Sequence, residues 1–114
     1  MVRLCALVLL AVFLTLSARA EPVLKIINFT ADWCPNCQIL NPRIDAVILE
    51  FEPGLIERVD LDITNAGRRA SMEQSARTIA VADALAEEHK VSDLWRQYGG
   101  LTGLGVVVAA DTGE

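Results

Sequence analysis

Cys34 and Cys37, in the stretch TADWCPNCQIL over residues 30–40, are the side chains here whose type and spacing can do chemistry. Two thiols separated by Pro35 and Asn36 could cycle between dithiol and disulfide, ligate a metal, anchor a haem or staple a loop. A structural zinc site takes four nitrogen or sulfur ligands, and beyond the pair only His89 and Cys5 could contribute, Cys5 lying in an apolar N-terminal stretch. Haem attachment wants a histidine directly after the second cysteine, where Gln38 stands. A disulfide closing so short a loop restrains the unfolded chain by only about 2 kcal/mol, against roughly 4–5 for a long loop, so a pure staple would be inefficient. Two thiolates suffice for Cu(I). Redox chemistry and Cu(I) binding or delivery are thus the two readings the residue types leave open.

The flanking sequence says how the pair must be held. Residues 23–29, VLKIINF, form a nearly continuous apolar run suited to a strand buried on both faces. After Thr30, Ala31 and Asp32 the period becomes helical, with Ile39, Leu40, Ile44, Val47, Ile48 and Phe51 on one side. Pro42 is expected to kink this helix and Pro53 and Gly54 to end it. Cys34 then sits at a helix N-terminus, where unpaired N–H groups and the helix dipole favour thiolate, and is the expected nucleophile. Cys37, one turn further on the same face and less exposed, is placed to resolve a mixed disulfide. Pro35 fixes φ at the first helical position, where no donor is needed.

Residues 55–63 alternate apolar and charged side chains like a half-buried strand, so strand, helix and strand predict a right-handed parallel crossover. Residues 64–70 read as a solvated loop carrying Gly67, Arg68 and Arg69. A helix over 71–88 is expected, with Ser71 and Gln74 at capping-box spacing and Met72, Ala76, Ile79, Ala82 and Leu85 as its inner stripe. His89 reads as a helix-end cation. Ser92 should cap a short helix over 93–98, closed by Gly99 and Gly100 and packing through Leu94, Trp95 and Tyr98. The apolar run 106–110 reads as a buried strand, and Asp111, Thr112 and Gly113 as the turn of a hairpin.

Residues 1–20 have a basic start, an apolar run and the small-x-small ending Ala18, Arg19, Ala20, the pattern of a cleaved signal peptide. That run is shorter than the roughly 20 residues a membrane span requires. Residues 21–114 are expected to form one domain. All 15 acidic residues lie beyond Ala20, but Arg3 and Arg19 do not, so this domain is more acidic than the −5 of the whole chain. An acidic domain argues against a nucleic-acid partner.

Phe29, Thr30, Ala31, Asp32, Trp33, Cys34, Pro35, Asn36 and Cys37, followed by Pro42, resemble the active-site segment of the thioredoxin superfamily. The later Val59, Asp60, Leu61, Asp62 and the Tyr98, Gly99 stretch with its apolar strand resemble that family's next strands. Ala31, Asp32 and Trp33 before the pair are similar to exported thioredoxin-like domains and the periplasmic domains of thiol:disulfide interchange proteins. The resemblance implies an α/β, thioredoxin-like three-layer sandwich, truncated after the antiparallel strand, with an extra helix inserted at about 71–88. It implies a protein-disulfide oxidoreductase without cofactor or metal, exported to the periplasm. Cys34 and Cys37 would be catalytic, Trp33 an apolar platform, and Asp32, Pro35 and Asn36 supporting residues, with Gly103, Leu104 and Gly105 contacting substrate. Its partners would be protein thiols and disulfides and a membrane or periplasmic electron-transfer protein, with the domain acting as reductant. Three departures stand out: Asn28 replaces a buried aspartate, Leu104 replaces a cis-proline, and the last strand and helix of the fold are missing.

Overall fold

The computed structural model describes residues 21–114; the expected signal peptide and Cys5 lie outside the described residues. Three strands and three helices follow in the order β1 (Leu24–Thr30), α1 (Pro35–Leu49), β2 (Ile56–Asp62), α2 (Met72–Glu88), α3 (Ser92–Tyr98) and β3 (Leu104–Ala109). The sheet order is β2-β1-β3, with β1 parallel to β2 and antiparallel to β3. This is the mixed sheet with flanking helices that the thioredoxin-like reading requires.

Alternation along β1 divides the molecule into layers. Ile27 and Phe29 point to one face beside Val59 and Leu61, where Ala82 and Ala86 of α2, Val91 and Trp95 complete the core. The Phe29 ring stacks on Trp95 at 6.5 Å and meets Tyr98 edge-on at 6.1 Å, which docks the short helix α3 onto the central strand. Ile26, Asn28 and Thr30 point to the other face, beneath α1. There Asn28, fully buried, donates from Nδ2 to Asn41 Oδ1 and to Asp60 Oδ1, both at 2.9 Å. Asn41 in turn donates to Thr30 Oγ1, and Arg58 spans Asp60 of the sheet and Asp45 of α1. Burial opposes the Arg58 charge, and the two carboxylates outweigh it, holding its pKa above the ordinary arginine value. One layer is thus joined by apolar packing, and the other combines these hydrogen bonds with the buried Ile26 and Ile44.

Helix α1 carries Pro42 in its interior and stops at Leu49, shortly before Pro53. Several expectations need correction. Ser71 does cap α2, accepting from Gln74 N at 3.0 Å, but Met72 is 91% exposed and Ile79 39%. The inner face of α2 passes instead through Ser75, Thr78, Ala82, Leu85 and Ala86, because its first turns serve a polar loop rather than the core. Ser92 is the first residue of α3, whose N-cap Val91 makes no side-chain bond. His89 is the C-cap of α2, and its Nδ1 lies 2.9 Å from the Lys25 ammonium. In β3 only Val108 is buried and Val107 is 61% exposed, since β3 is an edge strand among the described residues. Beyond β3 the expected turn closes, with Ala109 N donating to Glu114 O at 2.7 Å.

The aromatic dock makes a stability prediction. Trp95→Ala should lower unfolding free energy by about 3–5 kcal/mol in urea titration, the range for a truncated core aromatic. Trp33→Ala, which removes a side chain 53% exposed, should change it by about 1 kcal/mol or less.

Candidate active site

The segment joining β1 to α1 is hung on the segment that follows β2. The parallel ladder continues past the strands through Ile63 N to Thr30 O at 2.9 Å. Thr64 then takes both remaining bonds: Asp32 N donates to its hydroxyl at 2.9 Å, and Trp33 Nε1 donates to its carbonyl at 3.0 Å. Asp62 Oδ1 fixes Thr64 by accepting from its N–H and its hydroxyl. A turn from Ala31 O to Cys34 N at 3.1 Å brings the chain round to the helix.

Cys34 is the N-cap of α1, with extended φ −90° and ψ 114°, and Pro35 follows in the first turn. Its sulfur occupies the place a serine or aspartate oxygen holds in an ordinary cap, accepting from Cys37 N at 3.2 Å. Cys37 lies one turn in, its thiol 3.9 Å from Phe29 O. Both cysteines are unbonded thiols and both are buried, Cys34 at 4% exposure and Cys37 at 1%. Burial pushes the Cys34 thiol up. Hydrogen bonds from the Cys37 thiol, the Thr102 hydroxyl and the Cys37 and Asn36 N–H groups more than offset it, so its pKa falls below the ordinary cysteine value. The arrangement can hold a thiolate at Cys34 with a second thiol beside it to form and break a disulfide.

Gly103 covers the pair. Its N–H donates to Phe29 O at 2.8 Å and its φ is +82°. A Cβ there would stand 2.8 Å from Asn36 Cβ and 3.5 Å from Cys34 Sγ, so glycine is required by conformation and by space. Leu104 turns toward the core cluster, and every described peptide bond is trans. Gly105 faces Ile44 and Leu40 of α1. Of the expected substrate-contact residues, Gly103 comes close to the Cys34 sulfur, and Leu104 packs on the cluster that holds both cysteines. Asp32 and Asn36 are exposed flanks, and Trp33 is an exposed ring braced by Thr64. Thr64 and Thr102 are the functional neighbours that sequence reasoning missed. Nothing marks Thr102 beyond adjacency to Gly103; Thr64 could have been found as the residue past β2 that faces the active-site turn.

Asn28 leaves no carboxylate at its position under α1, and its Oδ1 has no hydrogen-bond partner. No cluster of three or more His, Cys, Asp or Glu suited to a metal occurs among the described residues.

Alkylation of Cys34 should therefore reach half its maximal rate below the pH of a free cysteine, about 8.5. Thr102→Val should move that midpoint upward, measured by iodoacetamide kinetics across pH. Because the folded pKa is depressed, the thiolate adds stability to the reduced protein that is present above the unfolded pKa and lost as pH falls through the folded one. Asn28→Asp should have the opposite linkage. The new carboxylate would face Asp60, its pKa would rise, and a loss of about 1–3 kcal/mol at neutral pH should shrink as acid protonates it. Urea midpoints against pH check both.

The thioredoxin family model matches residues 15–89, a span that runs from before β1 to just past α2 and includes the whole cysteine segment. No curated protein and no solved structure matches the chain. With more than half the sequence matched, and with the sheet order and helix-capping dithiol already seen, the chain belongs to the thioredoxin family.

Proposed function

We propose that the protein is a thiol-disulfide oxidoreductase acting on protein disulfides through Cys34 and Cys37. The observation that carries this reading is the Cys34 sulfur at the cap of α1, accepting from Cys37 N with its pKa lowered. In the reductive direction, the Cys34 thiolate attacks one sulfur of the target disulfide and expels the other as thiolate, which takes up a proton. Cys37, losing its proton to water, then attacks the Cys34 sulfur and releases the second target sulfur. The target leaves as a dithiol, and the protein is left with a Cys34–Cys37 disulfide for an electron donor to reduce. Asn28 supplies no carboxylate for that second deprotonation, so it should be slow at low pH.

The signal-like residues 1–20 support export to the periplasm, and resemblance to interchange domains supports a reductant served by a membrane or periplasmic electron-transfer partner. Cu(I) held by the same two thiols is the rival reading.

Cys37→Ser should accumulate mixed disulfides with protein partners, and Cys34→Ser should accumulate none. The reduced wild-type protein should speed insulin reduction by dithiothreitol. Absence of both trapped species and insulin activity would falsify the redox reading. Competition with a Cu(I) chelator, without insulin activity, would favour copper.

A further inference from the structure

An open groove of about 820 Å³ lies against Trp33, the residue before Cys34. Trp33 forms one side, and the loop 64–70 with Gln74 forms the rest, so Arg68 and Arg69 line the same groove as this ring. The loop is fastened to its neighbours. Gly67 N donates to Ser75 Oγ, Thr78 Oγ1 donates to Asn65 O, and Ala66 N donates to Ile63 O. This explains why α2 turns serine and threonine, not Met72 or Ile79, toward the loop.

The cations are unevenly committed. Lys25, Arg58, Arg77 and Arg96 each pair with a carboxylate and Lys90 donates to Asp111 O, whereas Arg68 and Arg69 at the groove, like Arg43 on α1, are exposed and have no ion-pair partner among the described residues. The nearby acids offer none: Glu73 is engaged by Arg77 and Asp62 by Thr64, and Asp32 lies on the Trp33 side. In a chain of formal charge −5, two adjacent free guanidinium groups form a local patch of opposite sign. Such a patch steers and orients an acidic partner that the rest of the surface repels. Guanidinium forks also match carboxylates in shape.

We propose that this groove binds a short acidic segment of the protein substrate, with Asp or Glu side chains flanking the reacting cysteine held by Arg68 and Arg69 and an apolar neighbour resting on Trp33. The proposal rests on the redox reading for its biological setting, since it specifies which disulfides Cys34 meets. The acidic segment would lie along the loop while the disulfide reaches the sulfur past Gly103.

The test separates binding from turnover. Peptides in which serine replaces cysteine, flanked either by Glu and Asp or by Gln and Asn, are titrated into the reduced protein while tryptophan emission is followed. The acidic peptide should bind about 5–10-fold more tightly at low ionic strength, with the gap narrowing as salt is added. Arg68→Gln with Arg69→Gln should abolish the preference, and Arg68→Glu with Arg69→Glu should transfer it to a lysine-flanked peptide. Equal binding of the acidic and amide peptides, no binding of either at millimolar concentration, or a preference that survives the double glutamine variant overturns the proposal. These peptides carry no sulfur, so the outcome is independent of whether mixed disulfides form, which tests the redox reading alone.

Discussion

The Phe29 peptide carbonyl is the point on which the site depends. It lies near the end of the central strand, accepts from Gly103 N, which brings the covering loop over the sulfur, and stands 3.9 Å from the Cys37 sulfur. The side chain of the same residue is clamped between Trp95 and Tyr98. Core packing on one face of the sheet therefore sets the position of an oxygen that organises chemistry at the strand's end. A shift of β1 by one residue would send Phe29 to the α1 face and remove both functions together.

Burial and thiolate formation oppose one another at Cys34. A cysteine only 4% exposed would ordinarily resist ionisation. The helix cap turns this around, because N–H groups already ordered by α1 cannot be satisfied within the helix and aim at the sulfur. Donors from Cys37 and Thr102 add to them. Fixed dipoles rather than solvent thus favour the charged form of a largely covered residue.

Much of this was legible in the residue order. The buried strand before the cysteines, the helix after them and the dithiol's place at the helix start all follow from local patterns: an apolar run, a change of period, and proline after the cap. What was not legible depends on contacts between distant segments. The stripe assigned to α2 counted Met72 and Ile79 as core because periodicity cannot tell a helix lying on the sheet from one whose first half braces a loop. Val107 was read as buried because an apolar run does not say whether its strand is central or at an edge. Thr64 and Thr102 are ordinary polar loop residues until folding sets them against Trp33 and Cys34. Asn28 was noticed for the carboxylate it lacks, whereas its actual part is to bridge Asn41 and Asp60.

The distance in sequence between the dithiol and its cover has a consequence for how the protein is made. Strand β1, helix α1, β2 and the Thr64 anchor are all complete by residue 64, while Gly103 comes near the other end of the described chain. During vectorial synthesis the N-terminal part emerges and can organise first. The helix-capped thiol would then exist as a reactive group before the backbone that shields it. Until Gly103 reaches Phe29, the nascent chain is open to capture by any oxidant or disulfide in its surroundings.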